Sequence, residues 1–282
     1  VRFQPPMLGS GAFVGAHDAD WALAQADEDG VTLAAALERA GFAGDAAPRP
    51  EDYDGCFELH IEQGPELEAA GAPVGVVAGA FTSFGADILV RGENAHTGPT
   101  PMSARRNALL GAAVIIAELD AIAWAFQPHG RSACARIAAA PNRYGVLAHR
   151  AEITVDVRHA DPTAAAAMFE RVRALLALAR RGAATPAEIV KSWSFGADLA
   201  FDPGLRAEIM AAAAALGVAC REMTSIAGHD AYHLARAAPT ALIFSPCRGG
   251  VTHNEAESIT LEATEPAVNV LLHAALRRAD RA

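Results

Sequence analysis

The sequence predicts an α/β protein: a main α/β domain, with a mostly parallel sheet and helices on both faces, interrupted by an inserted α+β domain. Three observations predict it. Ala241–Phe244 is a continuous apolar run, the pattern of a strand buried on both faces of a parallel sheet. Cys56–Gln63 alternates instead, with Phe57, Leu59 and Ile61 apolar and Glu58, His60 and Glu62 polar, as in a half-buried strand. Between them the texture changes, from about Phe81 to Ala197, to alternating strands separated by long helices. The expected division is residues 1–80 and 198–282 for the main domain and 81–197 for the insert.

The elements follow in order. After Gly64-Pro65, Glu66–Ala70 reads as a short helix stopped by Gly71, and Val74–Ala80 as a compact apolar strand. In the insert, Ile88–Val90 is a strand, Gly92–Pro101 a loop, and Ser103–Phe126 a long apolar helix. Ala133–Ala139 and Glu152–Arg158 are further strands, the second with Ile153, Val155 and Val157 on one face. Asp161-Pro162 opens a helix with a capping residue and a first-turn proline, and Gly182 ends it. Back in the main domain, Asp202-Pro203 starts a helix that Gly217 ends, and a second helix is expected near His229–Ala237. The strand Ala241–Phe244 runs into Ser245-Pro246 and the turn Arg248–Asn254, where open α/β sheets place their ligands.

Composition excludes several classes. The 282 residues are 52% hydrophobic, enough for one large or two ordinary domains, and carry a net charge of −10. That balance gives no electrostatic reason to expect binding to nucleic acid or to an anionic membrane. No apolar run is long enough to span a bilayer and no signal-peptide pattern opens the sequence. The four cysteines are far apart, so reduced thiols and a cytoplasmic setting are expected.

Two histidines stand out from the pattern. His60 shares a strand face with Glu58 and Glu62, carboxylates that could orient a ligating imidazole, although a histidine at a strand end is commonly structural. His253 lies in a turn with Gly249, Gly250 and Asn254, where glycines let backbone amides approach an anion, or it is simply a solvated loop residue. The segment His229-Asp230-Ala231-Tyr232-His233 spaces two histidines as in a helical zinc site. Its middle acid is aspartate, a methylene too short for the glutamate role, and that reading is disfavoured.

Three segments together carry a more specific signal: Phe57-Glu58-Leu59-His60-Ile61-Glu62-Gln63-Gly64-Pro65, Gly92-Glu93-Asn94-Ala95-His96-Thr97-Gly98, and Gly249-Gly250-Val251-Thr252-His253-Asn254. With Arg158-His159 and Ala227-Gly228-His229-Asp230-Ala231, they resemble the allantoate amidohydrolase, N-carbamoyl-L-amino acid hydrolase and β-ureidopropionase branch of the M20 family. The resemblance implies a catalytic α/β domain with an inserted lid that forms a homodimer, acting on a small carbamoyl or ureido acid. It implies that His60 and His253 each bind one of two divalent ions, zinc or manganese, and that His96 stabilises the oxyanion. Arg158 would grip the substrate carboxylate, with Gln63, Asn142, His229 and Gly250 lining the substrate pocket.

This chain departs from the pattern in three places. A second asparagine usual three residues after Asn142 is replaced by Gly145; Thr252 stands where serine is commoner, and Glu255 where proline is. The resemblance also implies a preceding segment with a histidine, a bridging aspartate and a pair of glutamates, whereas this sequence opens at Val1-Arg2-Phe3. The chain by itself is therefore expected to hold little or no metal and to be inactive. The competing readings are a non-catalytic dimerisation or ligand-binding remnant of the fold and, disfavoured by His60, an M20 aminoacylase or dipeptidase.

Overall fold

A computed structural model describes residues 2–44 and 49–280. The elements run α1 (Leu8–Phe13), α2 (Ala19–Leu23), α3 (Leu33–Ala40), β1 (Cys56–Ile61), α4 (Glu66–Ala70), β2 (Val74–Ala80), β3 (Thr82–Arg91), α5 (Ala108–Trp124) and β4 (Arg131–Ala140). They continue β5 (Arg150–His159), α6 (Pro162–Ala183), β6 (Ala187–Phe195), α7 (Pro203–Ala215), β7 (Cys220–Ser225), α8 (Ala231–Leu234), β8 (Thr240–Ser245) and α9 (Leu261–Ala279). The chain divides into two compact units: one holds the residues up to Ala80 and from Leu199 onward, the other Phe81–Asp198.

The first unit is built on a sheet of order β1-β8-β2-β7. β1 pairs with β8 and β2 with β7 in parallel, while β8 and β2 are antiparallel, so the sheet is mostly parallel. All six residues of β8 are buried, as its continuous apolar run requires. On one face Val74, Val76, Ala241 and Ile243 pack beneath Leu205 and Ile209 of α7 and Val270 and Ala274 of α9. Phe57 and Leu59 of β1 join that core, which leaves Glu58 and His60 facing the other way, toward α8. Both helices start as their sequences dictate, α7 with Asp202 accepting the Leu205 N–H and α9 with Thr260 accepting the Ala263 N–H.

The second unit is a wholly antiparallel sheet of order β4-β5-β3-β6. Alternate residues Ile153, Val155 and Val157 of β5 and Ala86, Ile88 and Val90 of β3 face one core, shared with Ile115 of α5 and Met168 and Val172 of α6. Among the described residues no helix is long and apolar enough to cross a membrane, and all four cysteines are free.

Several boundaries differ from the sequence expectation. The helix expected from Ser103 begins at Ala108, because Met102–Ala104 form a separate 3-10 turn and Asn107 caps the Leu109 N–H at 3.2 Å. Helix α6 runs past Gly182 to Ala183 and is closed by Ala184 in the left-handed region (φ 53°). The helix expected over His229–Ala237 is a single turn, Ala231–Leu234, so His229 precedes it. Strands β6 and β7 were not anticipated: both are edge strands whose residues are largely exposed or half-buried, which erases the alternation that marks a strand.

The loop motif that opens at Gly92 owes its first residue to packing. A Cβ there would lie 2.3 Å from the Arg106 carbonyl oxygen, 2.7 Å from the Ala108 nitrogen and 2.9 Å from the Ala148 carbonyl oxygen. All three are backbone atoms, two at the start of α5 and one at the end of the loop before β5, and none can swing away. Gly92→Ala is expected to destabilise the protein by about 1–3 kcal/mol or more in urea unfolding; an unchanged midpoint would show that this backbone yields freely.

Candidate functional site

Glu58 and His60 are presented by the period-two geometry of β1, opposite Leu242 and Phe244 of β8 in register. Into the space above them comes His229, from the turn before α8. Its side chain is fully buried, and its ring centroid lies 4.6 Å from that of His60, 5.2 Å from Phe244 and 5.9 Å from Tyr232. One ligand atom from each of Glu58, His60 and His229 falls within 4.8 Å of the others, the only such group of three among the described residues.

Hydrogen bonds fix how these groups present themselves. His60 Nδ1 lies 2.9 Å from the Ile61 carbonyl oxygen, which can only accept, so Nδ1 carries the proton and Nε2 offers a lone pair. Glu58 Oε2 accepts the Ala231 N–H at 2.6 Å. Its other oxygen is 3.6 Å from His229 Nδ1, beyond hydrogen-bonding distance. Burial pushes the Glu58 carboxyl up, but the His229 ring, the Ala231 N–H and His60 outweigh it and hold the group below the ordinary glutamate value. Neither ring nitrogen of His229 has a hydrogen-bond partner.

That orphaned imidazole is the test of whether a metal belongs here. A buried polar group without a partner costs about 1–3 kcal/mol and calls for an explanation. A divalent ion taking one nitrogen from His229, Nε2 from His60 and a Glu58 oxygen would satisfy it with donor types that zinc and manganese accept. The residues fit such an ion. The disfavoured helical zinc pair gains nothing from the geometry: His233 rests against His17, ring centroids 5.7 Å apart, and is separated from His229 by the start of α8.

The remaining residues singled out from the sequence sit as follows. Glu62, on the polar side of β1 in the alternation, turns away to cap α4: its two oxygens accept the Glu66 and Leu67 N–H groups at 2.7 and 2.8 Å. It therefore does not orient His60. Gln63, in the left-handed region (φ 59°), donates to Thr252 Oγ1 at 3.0 Å, tying the end of β1 to the turn that carries His253. His253 itself is exposed, also left-handed (φ 54°), and stands outside the group of three; its N–H donates to Glu257 at 2.9 Å. Gly250 packs its Cα directly on the Gly64–Pro65 peptide, and its N–H donates to the Cys247 carbonyl.

In the second unit, His96 is exposed on a loop bridged to Val146. Its Nδ1 accepts the Gly98 N–H at 3.0 Å, so the neutral ring carries its proton on Nε2. Arg105, which sequence reasoning passed over, braces that loop by donating to the carbonyls of Thr97 (2.7 Å) and Thr100 (3.1 Å). Asn142 is exposed beside the cis Ala140-Pro141 bond, and Arg158 on β5 donates from Nε to Asp156 at 2.6 Å. His229, expected from the sequence in the substrate pocket, is brought beside Glu58 and His60. The alternation of β1 was the signal for Glu58 and His60, but nothing in the turn Ala227–Asp230 marked where its histidine would point.

Residues 16–277 match the family described as Peptidase family M20/M25/M40. The chain is 36% identical over 282 residues to an N-carbamoyl-L-amino-acid amidohydrolase of Rhizobium meliloti, covering 99% of this chain and 67% of that protein. It is 30% identical over 274 residues to an allantoate amidohydrolase of Bacillus subtilis (strain 168), covering 96% and 66%. A crystal structure of an amidase of the hydantoinase/carbamoylase family from Burkholderia vietnamiensis superposes with a TM-score of 0.88 at 39% identity, over 99% of this chain and 67% of that one. The chain thus spans about two thirds of the length of the relatives it matches.

His229 gives a prediction in which stability and binding move apart. Phenylalanine at this position removes two unpartnered nitrogens from beside Phe244 and Tyr232. His229→Phe is expected to leave urea stability, measured with chelator present, unchanged or raised by up to about 1–3 kcal/mol. Zinc or manganese affinity should fall by about tenfold or more. Lost stability with unchanged metal affinity would instead make His229 a structural residue.

Proposed function

The chain belongs to peptidase family M20/M25/M40, and from that membership we propose that it serves the metal-dependent hydrolysis of a linear amide or ureido C–N bond in a small carboxylated substrate. N-carbamoyl amino acids and allantoate define the substrate class, because relatives bearing those names match nearly the whole chain. The observation that supports the reading most is the buried, unpartnered His229 ring beside His60 and Glu58.

In this reading Glu58, His60 and His229 hold a divalent ion, zinc or manganese, with His253 contributing to a second. When bound, such ions polarise a carbonyl and acidify a water molecule. The protein groups divide the other work. His60 offers Nε2 because Nδ1 is committed to the Ile61 carbonyl. His96, with Nδ1 committed to the Gly98 N–H, offers an Nε2–H donor suited to a developing oxyanion. Arg158 supplies a planar fork for a carboxylate. Gln63, Asn142 and Gly250 are the further substrate contacts we propose. The second unit also acts as a lid and homodimer surface: β4 is an edge strand with Ile137 exposed, and α5 exposes Leu109, Leu110 and Trp124.

The carboxylate in the cluster, Glu58, accepts the Ala231 N–H and in this reading holds the ion, so no free general base stands among the three groups. The 282 residues by themselves are therefore expected to bind substrate-like acids in a metal-dependent way but to turn them over slowly or not at all. They should also retain well under a pair of ions. Thermal unfolding of the purified chain with manganese or zinc should shift upward when an N-carbamoyl-L-amino acid is added, and the shift should vanish with chelator. Absence of any metal-dependent shift for both carbamoyl amino acids and allantoate would overturn the function. A stoichiometric pair of metals by elemental analysis would overturn the expected shortfall.

A further inference from the structure

The segment after β1 and the turn after β8 are fastened together more tightly than two neighbouring loops need to be. Glu62 is buried and spends both oxygens on the first turn of α4, whose N-cap residue, Pro65, has no side-chain cap of its own. Gly64 leaves the room for it, since a Cβ there would stand 2.8 Å from Glu62 Oε1. With α4 so fixed, Glu68 reaches across and accepts the Gly249 N–H at 2.7 Å. Gly250, left-handed at φ 65°, then lies flat on the Gly64–Pro65 peptide; a Cβ would meet its carbon and nitrogen at 2.7 Å. Gln63 closes the far end on Thr252, next to His253.

Three of these contacts, Glu68 on Gly249, Gly250 on the Gly64–Pro65 peptide and Gln63 on Thr252, join the chain just beyond His60 to the chain just before His253. Two of the residues that bracket the junction, Gln63 and His253, are non-glycine residues held in the left-handed region, a conformation that costs energy and persists only where the surroundings impose it. Both carboxylates accept backbone N–H groups, the stronger class of hydrogen bond. Of the two glycines that the sequence suggested as an anion cradle, Gly249 gives its N–H to Glu68 and Gly250 gives its own to the Cys247 carbonyl.

We infer that Glu62 and Glu68 are positioning residues, which set the register of the His253 turn on the His60 strand end through the short helix α4. Neither touches the group of three formed by Glu58, His60 and His229. Their part in catalysis rests on the metal reading above, but the positioning itself does not.

Glu68 is exposed, so its substitution should leave the fold intact. In Glu68→Ala, hydrogen exchange of the amides Gly249–His253 is expected to quicken by about tenfold or more, the loss of one charge-assisted bond, while β8 amides keep their protection. Glu68→Gln keeps an acceptor and should restore most of it. Cobalt(II) affinity of the full chain should fall by about tenfold in Glu68→Ala and recover in Glu68→Gln. Glu62→Gln, which puts an amide group before two N–H donors, should give the larger loosening of the same turn. Unchanged exchange at Gly249–His253 in Glu68→Ala overturns the inference, and so does a uniform rise across the first unit, which would mark a merely structural contact. If the turn loosens as expected while no variant or parent binds metal, the proposed function fails and the positioning stands.

Discussion

Six residues of β1 are shared between a hydrophobic core and a polar site, and the register of one ladder keeps the two apart. Phe57 and Leu59 lie under α7 and α9, while Glu58 and His60 lie opposite Leu242 and Phe244 on the α8 side. Because side chains alternate strictly, a slip of one residue against β8 would bury a carboxylate and an imidazole among Val270, Ala274 and Ile209. The uninterrupted apolar run of β8 makes that slip costly on both faces. The side of the sheet on which Glu58 and His60 stand is thus set by the packing of their neighbours, and their own hydrogen bonds set only how they are turned there.

The polar groups admitted to this interior are nearly all answered. Glu62 is spent on α4, Glu58 on the Ala231 N–H, His60 Nδ1 on the Ile61 carbonyl, and buried Glu208 on Arg277. Against that background the unanswered nitrogens of His229 are informative, since protein interiors seldom leave a donor and an acceptor idle on one ring.

How much of this could be read from the residues follows from where the signals are local. The α/β class and the polar face of β1 came from periodicity within one element, which sequence displays directly. Edge strands β6 and β7 did not, because their half-exposed positions accept polar residues on both faces. Helix α9 was not expected from the sequence either; it carries Pro266 inside it, near its start. Within the site, His60 was legible from its strand. The inward turn of His229 was not, because it depends on a carboxylate far away in the chain, Glu58, capturing the Ala231 N–H. For the same reason Glu62 was misjudged: alternation gave its side, but the nearby N–H groups of α4 compete for its oxygens.

The insertion of one unit into the other has a consequence for the order in which the chain acquires structure. Every strand pair of Phe81–Asp198 is antiparallel and closes within the segment, so this unit can collapse on its own once β6 has followed β3. β1, by contrast, has to wait for β8, since Cys56 finds Thr240 and His60 finds Phe244 only after the whole insert has passed. During synthesis the strand that bears Glu58 and His60 therefore emerges before the insert, with an apolar face uncovered, and remains unpaired on that ladder until β8 follows. Glu58 within it and Glu62 just after it then do a second service: they put charge on a nascent β-forming segment that would otherwise be free to pair with the wrong partner.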